Sequence, residues 1–101
     1  MSLTIGEKLI LSNPNYIPIK LFYQNTLFPL RVNKTYNVFD IIIKLKNKGS
    51  IDENYCIVPF VGDRIVRLTD SLVTLYHENK NKDDGCLHIK LIEEATFGTY
   101  F

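Results

Sequence analysis

Two runs of β-branched and aromatic residues near the start of the chain are separated by only a short polar connection. The runs are Tyr16 to Tyr23 and Leu27 to Val32, and Gln24-Asn25-Thr26 lies between them. Strand-forming runs on either side of such a connection predict a β-hairpin. Pro29 removes a backbone donor from the second run, which favours an edge strand. The fold must therefore contain this hairpin at one edge of a sheet.

The rest of the chain alternates between helical and strand-like patterns. Three helices are predicted: Ser2 to Ser12, Val38 to about Lys48 with Asn37 as its cap, and a third that Thr69 or Asp70 caps and that reaches about Asn79. Three further strands are predicted: Cys56 to Val61, the short Ile65-Val66, and Cys86 to Ile92 as the last strand. This order predicts an α+β roll of the β-grasp type, in which the last strand lies beside the first and parallel to it. We assign residues 1–14 to an N-terminal helical extension, 15–93 to the β-grasp domain and 94–101 to a flexible tail.

The size and charge of the chain exclude several classes of protein. The chain has 101 residues, 46% of them hydrophobic, which suits one domain with one core. Twelve basic and eleven acidic side chains give a net charge of +1, which argues against general nucleic-acid binding. No apolar run approaches the roughly 20 residues that cross a bilayer, and no secretory signal is visible. We expect the two cysteines to be reduced thiols in a cytoplasmic protein.

The cysteines and histidines form no catalytic or metal-binding signature. His77 is predicted in the third helix, His88 in the last strand, and Cys56 and Cys86 at the starts of two separate strands. A Cys–His nucleophile pair needs spatial adjacency and an orienting group, and no motif here provides them. Paired C-x-x-C spacing for zinc is also missing. The cysteines are interpreted as packed thiols and the histidines as surface or half-buried residues, and no enzymatic activity, metal or cofactor is predicted.

Two surface features each have two interpretations. The lysines at 44, 46 and 48 form either the solvated face of an amphipathic helix or a weak docking patch for an acidic partner or lipid. The strand Leu27 to Val32 is either an ordinary edge, protected by Pro29 and Arg31, or an edge that adds a partner's strand through backbone hydrogen bonds. For the lysines we favour the solvated face, and for the edge strand both interpretations stand.

A lone glycine stands close to the end of the sequence. Gly98 is followed by Thr99, Tyr100 and Phe101. Because glycine has no side chain, its backbone can pass through a narrow enzyme cleft without a clash. This pattern indicates that residues 99–101 are a processing remnant and that the carboxylate of Gly98 is the reactive group.

Several stretches together resemble one family. The ending Glu94-Ala95-Thr96-Phe97-Gly98 fits the pattern Glu-x-Thr-Phe-Gly, and it follows the strand Ile57 to Val61, Gly62-Asp63 and the segment 71–85. Upstream, Ile17-Pro18-Ile19 matches a first strand. These stretches resemble the lipidated autophagy ubiquitin-like modifier family, which includes GABA-receptor-associated protein. The resemblance covers nearly the whole chain and implies a ubiquitin-like β-grasp fold.

The resemblance implies a route of processing and conjugation through Thr96, Phe97 and Gly98. A cysteine protease would cut after Gly98, and an activating enzyme would adenylate the new carboxylate. A conjugating enzyme would then transfer it to phosphatidylethanolamine, with Phe97 as an apolar anchor for each enzyme. The cytoplasmic modifier would thereby become a peripheral protein of autophagosomal or related membranes, where it would recruit partners. No nucleic-acid partner is implied.

The resemblance also implies two apolar pockets along the second strand, which bind aromatic-x-x-aliphatic peptides of receptors. By position, a first pocket would be formed by Pro18, Lys20, Arg31 and Cys86, and a second pocket by Leu30, Val32, Tyr36 and Ile41. The sequence departs from the family pattern, because Lys20 and Arg31 stand where aliphatic residues are usual and Cys86 where an aromatic is usual. These replacements predict a smaller and more polar first pocket. Asp84 also stands as an insertion relative to the family.

Two alternative functions remain. One is a ubiquitin-like modifier joined to a protein, which the short hairpin and the altered first pocket favour. The pathway's protein-conjugated modifier usually ends in Trp-Gly without a tail, so Phe97-Gly98-Thr99 counts against this alternative. The other is an unconjugated β-grasp interaction domain that binds partners through its edge strand.

Overall fold

The computed structural model describes residues 2–51 and 55–95. Within these residues the elements are α1 (Ile5–Ser12), β1 (Tyr16–Tyr23), β2 (Thr26–Asn33), α2 (Val38–Asn47), β3 (Tyr55–Val61), β4 (Arg64–Ile65), α3 (Leu72–Asn79) and β5 (Leu87–Ala95). The predicted order of helices and strands is confirmed.

The described strands form a mixed sheet in the order β2-β1-β5-β3-β4. The hairpin pairs β1 with β2 antiparallel, from Tyr16 opposite Asn33 to Tyr23 opposite Thr26. The last strand, β5, lies parallel to β1 on one side and antiparallel to β3 on the other. This arrangement confirms the predicted α+β β-grasp roll, and it leaves β2 at an edge of the sheet.

The turn of the hairpin is tighter than the sequence predicts. Gln24 and Asn25 both have positive φ, 49° and 59°, and Thr26 already belongs to β2. Two left-handed residues in succession give a two-residue connection whose twist matches that of the paired strands. The register of β1 and β2 is therefore fixed close to the turn.

One hydrophobic core joins the inner face of the sheet to α2 and α3. Alternate residues of β1 point inward, and every apolar position of α2 predicted to face the core is buried. The buried residues with the least exposure are Ile19, Leu21, Val38, Ile51, Leu72, Leu87 and Ile89. The other face of β1 presents Pro18, Lys20 and Phe22 on the side opposite this core.

Local hydrogen bonds decide where the helices begin. Asn37 caps α2 as predicted, and the side chain of Asp40 accepts a hydrogen bond from the backbone N–H of Asn37. The first helix starts at Ile5 instead of near Ser2, because Thr4 and Glu7 form a reciprocal capping box. For α3 the cap position is Ser71. The predicted cap Asp70 instead accepts a hydrogen bond from the backbone N–H of Arg67 at 3.0 Å.

The last strand extends beyond its predicted end at Ile92. It continues to Ala95 because residues 93–95 pair with residues 55–57 of β3. Pairing of β5 with β1 ends at Leu91. Beyond Leu91, the described pairing of β5 is with β3. Among the helices within 2–51 and 55–95, none is long and apolar enough to cross a bilayer.

Candidate functional site

The four residues predicted for the first pocket line one depression on the outer face of the hairpin. Its volume is about 340 Å³. The strand register brings these residues together, because Pro18 lies opposite Arg31 on β2 and Lys20 lies beside His88 on β5. Cys86, which is 4% exposed, lies just before β5. The pocket thus brings together Pro18 and Lys20 of β1, Arg31 of β2 and Cys86, the residue directly before β5.

The first pocket also has a wall that the sequence did not indicate. Ile5 and Leu9 of α1 line the depression, together with Leu30 of β2. Residues four positions apart lie on the same face of a helix, so Ile5 and Leu9 act together. Ile5 is 69% exposed, which shows that this wall is open toward solvent.

The second pocket lies on the other side of β2, toward α2. Leu30, Val32, Tyr36 and Ile41 line a depression of about 220 Å³. Arg31, Lys44 of α2 and Lys48, the residue directly after α2, also line it, whereas none of its described lining residues is a carboxylate. The ammonium of Lys44 lies 4.7 Å from the centre of the Tyr36 ring. An apolar floor is therefore combined with a cationic rim.

Contact between two glycines holds α1 beside the first pocket. The N–H of Gly6 donates to the carbonyl of Asp84 at 2.7 Å. A Cβ atom at Gly6 would lie 2.1 Å from the carbonyl oxygen of Gly85, a distance that no side chain tolerates. Gly85 itself has a φ of +69°, and its carbonyl accepts a hydrogen bond from the hydroxyl of Tyr76 at 3.0 Å. These contacts fix α1 on the turn at Asp84 and Gly85.

The carboxylate of Asp84 contacts three residues beside the first pocket. Its Oδ2 lies 2.8 Å from Nζ of Lys20 and 2.8 Å from Nε2 of His88. Its Oδ1 accepts a hydrogen bond from the N–H of Cys86 at 2.9 Å. Asp84 is not among the residues that line the pocket. Sequence reasoning noted Asp84 as an insertion, but nothing in the spacing of the sequence pairs it with Lys20.

The surroundings of Asp84, Lys20 and Cys86 shift the pKa of each group. Partial burial alone would raise the pKa of Asp84. The hydrogen bonds from Lys20, from the N–H of Cys86 and from His88 outweigh that effect and hold its pKa well below the usual range. The hydrogen bond to Asp84 raises the pKa of Lys20. Burial raises the pKa of the Cys86 thiol, so Cys86 contributes a small, uncharged group to the pocket.

The two cysteines differ in their exposure to solvent, and so do the two histidines. Cys86 is buried as predicted, whereas Cys56 is exposed, so the expectation of two packed thiols is wrong for Cys56. The outer-facing position of Cys56 on β3, opposite Glu94 of β5, explains the exposure. His77 is exposed, and His88 is half-buried with its ring 5.8 Å from that of Phe22.

A further depression lies at the opposite end of β1, and sequence reasoning did not find it. Its volume is about 650 Å³, and Phe22, Gln24, Lys90 and Glu93 are among its lining residues. The carboxylate of Glu93 accepts hydrogen bonds from the hydroxyl of Tyr23 and the amide of Gln24. The predicted pocket residues do not line this depression.

The predicted conjugation site lies outside the described part of the chain. Thr96, Phe97 and Gly98 follow Ala95, the last described residue. Their predicted role therefore stays a prediction.

The strand order, with β5 between β1 and β3, defines a ubiquitin-like β-grasp protein with an additional N-terminal helix. No family model and no curated protein matches the sequence. Solved structures do match. ATG8 of Trypanosoma brucei superposes with a TM-score of 0.77 at 19% identity, covering 92% of this chain and 85% of that one. The chain therefore has an Atg8-like fold.

A second Atg8 protein supports the same conclusion. Plasmodium falciparum Atg8, solved in complex with a peptide of Plasmodium falciparum Atg3, superposes with a TM-score of 0.68. It is 18% identical, and the match covers 91% of this chain and 87% of that one. At such identities the likeness concerns the fold.

Proposed function

We propose that this protein is an Atg8-like autophagy modifier and not an enzyme. In this proposal it is processed after Gly98, conjugated to phosphatidylethanolamine and used to recruit partners to autophagosomal or related membranes. The observation that carries the proposal is the combination of an Atg8-like fold with the sequence Thr96-Phe97-Gly98 directly after its central strand. Two acyl chains anchor a domain stably, as one chain alone would not. The protein would be cytoplasmic before conjugation and peripheral on the membrane after it.

The proposed partners fall into two groups. The first group is a processing cysteine protease, an activating enzyme and a conjugating enzyme, all of which act on Gly98. The second group is receptors with aromatic-x-x-aliphatic motifs, which would use the two pockets on either side of β2. The peptide bound to the Plasmodium falciparum protein supports the capacity of this fold to hold a segment of another protein.

A single substitution tests the conjugation. In its native cells the wild-type protein should lose residues 99–101 and gain the mass of a phospholipid. Gly98→Ala should keep Phe101 and stay off membranes, because the added methyl group obstructs passage of the tail through both enzyme clefts. Intact mass and membrane flotation measure both effects. Thr99→Ala, beyond the cleavage point, serves as the matched control. Unaltered membrane attachment of Gly98→Ala would refute the proposal.

The same experiment separates the alternatives. A stable adduct of high mass that resists phospholipase would identify a protein-conjugated modifier. Recovery of the wild-type chain with Phe101 intact would identify an unconjugated interaction domain. The edge position of β2, with a pocket on each side, favours the latter as the second candidate, since such a surface works without conjugation.

A further inference from the structure

The first pocket contains a lysine whose charged end is directed elsewhere. The side chain of Lys20 lines the depression, yet its ammonium is 2.8 Å from the carboxylate of Asp84. Asp84 lies outside the lining, and 16% of its side chain is exposed. The part of Lys20 that faces the pocket is therefore its aliphatic stem, as expected for a long cationic side chain that covers an apolar surface.

The other walls of the first pocket are mostly apolar. They come from Ile5 and Leu9 of α1, Pro18 of β1 and Leu30 of β2, with the uncharged thiol of Cys86 near them. The volume of about 340 Å³ exceeds that of the second pocket, about 220 Å³. Arg31 also lines the pocket, so the pocket is less polar than the sequence predicts only in respect of Lys20.

The turn at Asp84 and Gly85 determines both the position of the α1 wall and the direction of the Lys20 ammonium. Its backbone holds α1 through the hydrogen bond from Gly6 and through the close approach of Gly6 to Gly85. Its side chain holds the ammonium of Lys20. A single turn therefore positions the apolar α1 wall of the pocket and directs the Lys20 ammonium away from its interior, whereas Arg31 stays in the lining.

We propose that Asp84 determines the specificity of the first pocket by holding the Lys20 ammonium outside it, so that the pocket accepts a large aromatic side chain of a partner peptide. This inference rests on the proposed peptide-binding function. Without the carboxylate, the ammonium would be free to turn into the pocket, where it would compete with the incoming aromatic ring for space and would lose water, a cost that a cation–π contact offsets only in part. Such desolvation of a charge is costly, whereas an acidic side chain in the peptide would neutralise it.

Two synthetic peptides that differ at one position test the inference. One has the motif Trp-x-x-Leu with acidic flanks, and the other has Glu in place of Trp. Wild-type protein should prefer the Trp peptide. Asp84→Asn should weaken binding of the Trp peptide about tenfold, while binding of the Glu peptide stays equal or improves. Because the chain contains no tryptophan, a blue shift of peptide emission reports burial of the ring directly.

Matched variants isolate the effect of the carboxylate. Asp83→Asn makes the same charge change at the neighbouring, exposed position and should leave both affinities unchanged. Lys20→Leu keeps an aliphatic stem without an ammonium and should bind the Trp peptide within about twofold of wild type. The double variant Lys20→Leu with Asp84→Asn should recover the affinity that Asp84→Asn loses. Urea unfolding of every variant checks that each is folded.

The outcomes separate this inference from the function on which it rests. If wild-type protein binds the Trp peptide and Asp84→Asn binds it as well as Asp83→Asn does, the role of Asp84 is refuted and peptide binding stands. If wild-type protein binds neither peptide, both the inference and the peptide-binding proposal are refuted. If Asp84→Asn does not fold, a tenfold loss in Lys20→Leu alone still refutes the inference, because the ammonium itself would then contribute to binding.

Discussion

The two pockets border the same strand but differ in how their cations are placed. In the first pocket the ammonium of Lys20 is directed to Asp84, and the other lining residues are uncharged except Arg31. Arg31 lines both pockets. In the second pocket Lys44 and Lys48 join it, and the ammonium of Lys44 lies 4.7 Å from the centre of the Tyr36 ring. The comparison teaches that the number of charged residues along a strand does not determine the polarity of a pocket. For Lys20, the position of the neighbouring Asp84 carboxylate matters as well.

The largest effect should follow from Gly6→Ala. The new methyl group would meet the carbonyl of Gly85 at 2.1 Å, so α1 must leave its position. We expect unfolding to become easier by about 1–3 kcal/mol and the first pocket to lose its α1 wall, while the second pocket is retained. Urea unfolding and limited proteolysis of residues 2–12 measure these effects. Lys8→Ala, exposed on the same helix, is the control. Equal protease resistance in both variants would contradict the contact.

The next effect should follow from Asp84→Asn and should depend on pH. The folded-state pKa of Asp84 is below its unfolded value, so its carboxylate stabilises the fold above that unfolded value. We expect a loss of about 1 kcal/mol at pH 7 in urea unfolding, because solvent screens part of the Lys20–Asp84 attraction. The difference from wild type should shrink as the pH falls below about 4 toward the folded pKa. Asp83→Asn should show neither the loss nor the pH dependence. A difference independent of pH would rule out the charge as the cause.

A smaller effect should separate the second pocket from the first. Lys44→Gln removes a cation from the rim of the second pocket, so affinity for the acid-flanked Trp peptide should fall about two- to fivefold at low salt. The difference should disappear at high ionic strength, because salt screens exposed charges. Fluorescence titrations at two salt concentrations measure it. Lys82→Gln, in the exposed loop after α3, is the control. An equal loss at both salt concentrations would indicate a packing effect instead.

The smallest effect should follow from Cys86→Ala. If the thiol acts only as a small apolar group, its loss should cost about 1 kcal/mol or less and change peptide affinity by no more than about twofold. Thermal unfolding and the peptide titration measure both quantities. Cys56→Ala, at the exposed cysteine, should change neither. A large loss of affinity in Cys86→Ala would assign the sulfur a specific contact with the peptide.

The sequence predicts the order of helices and strands along the chain well, because the hairpin and the periodicity of apolar residues depend on short-range patterns. The cap at Asn37 is likewise readable from neighbouring residues. The sequence prediction places the start of α1 too early, because the reciprocal hydrogen bonds between Thr4 and Glu7 decide where the helix begins. Local patterns are therefore sufficient to predict most of the helices and strands.

The decisive contacts of the first pocket could not be predicted in this way. Asp84 meets Lys20 only because β5 runs parallel to β1 in one particular register. The approach of Gly6 to Gly85 likewise joins residues from opposite ends of the sequence. The resemblance identified which residues surround the pocket, but it did not reveal where their charges point.

The central position of β5 has a mechanical consequence. If the tail is fixed to a membrane and a partner pulls on β2, the load runs along the strands of the sheet. The hydrogen bonds of β5 to both β1 and β3 would then be sheared together and would not open one at a time from an end. A domain loaded in this direction resists force better than one peeled from an edge. The topology would allow such a tether to bear tension from its cargo.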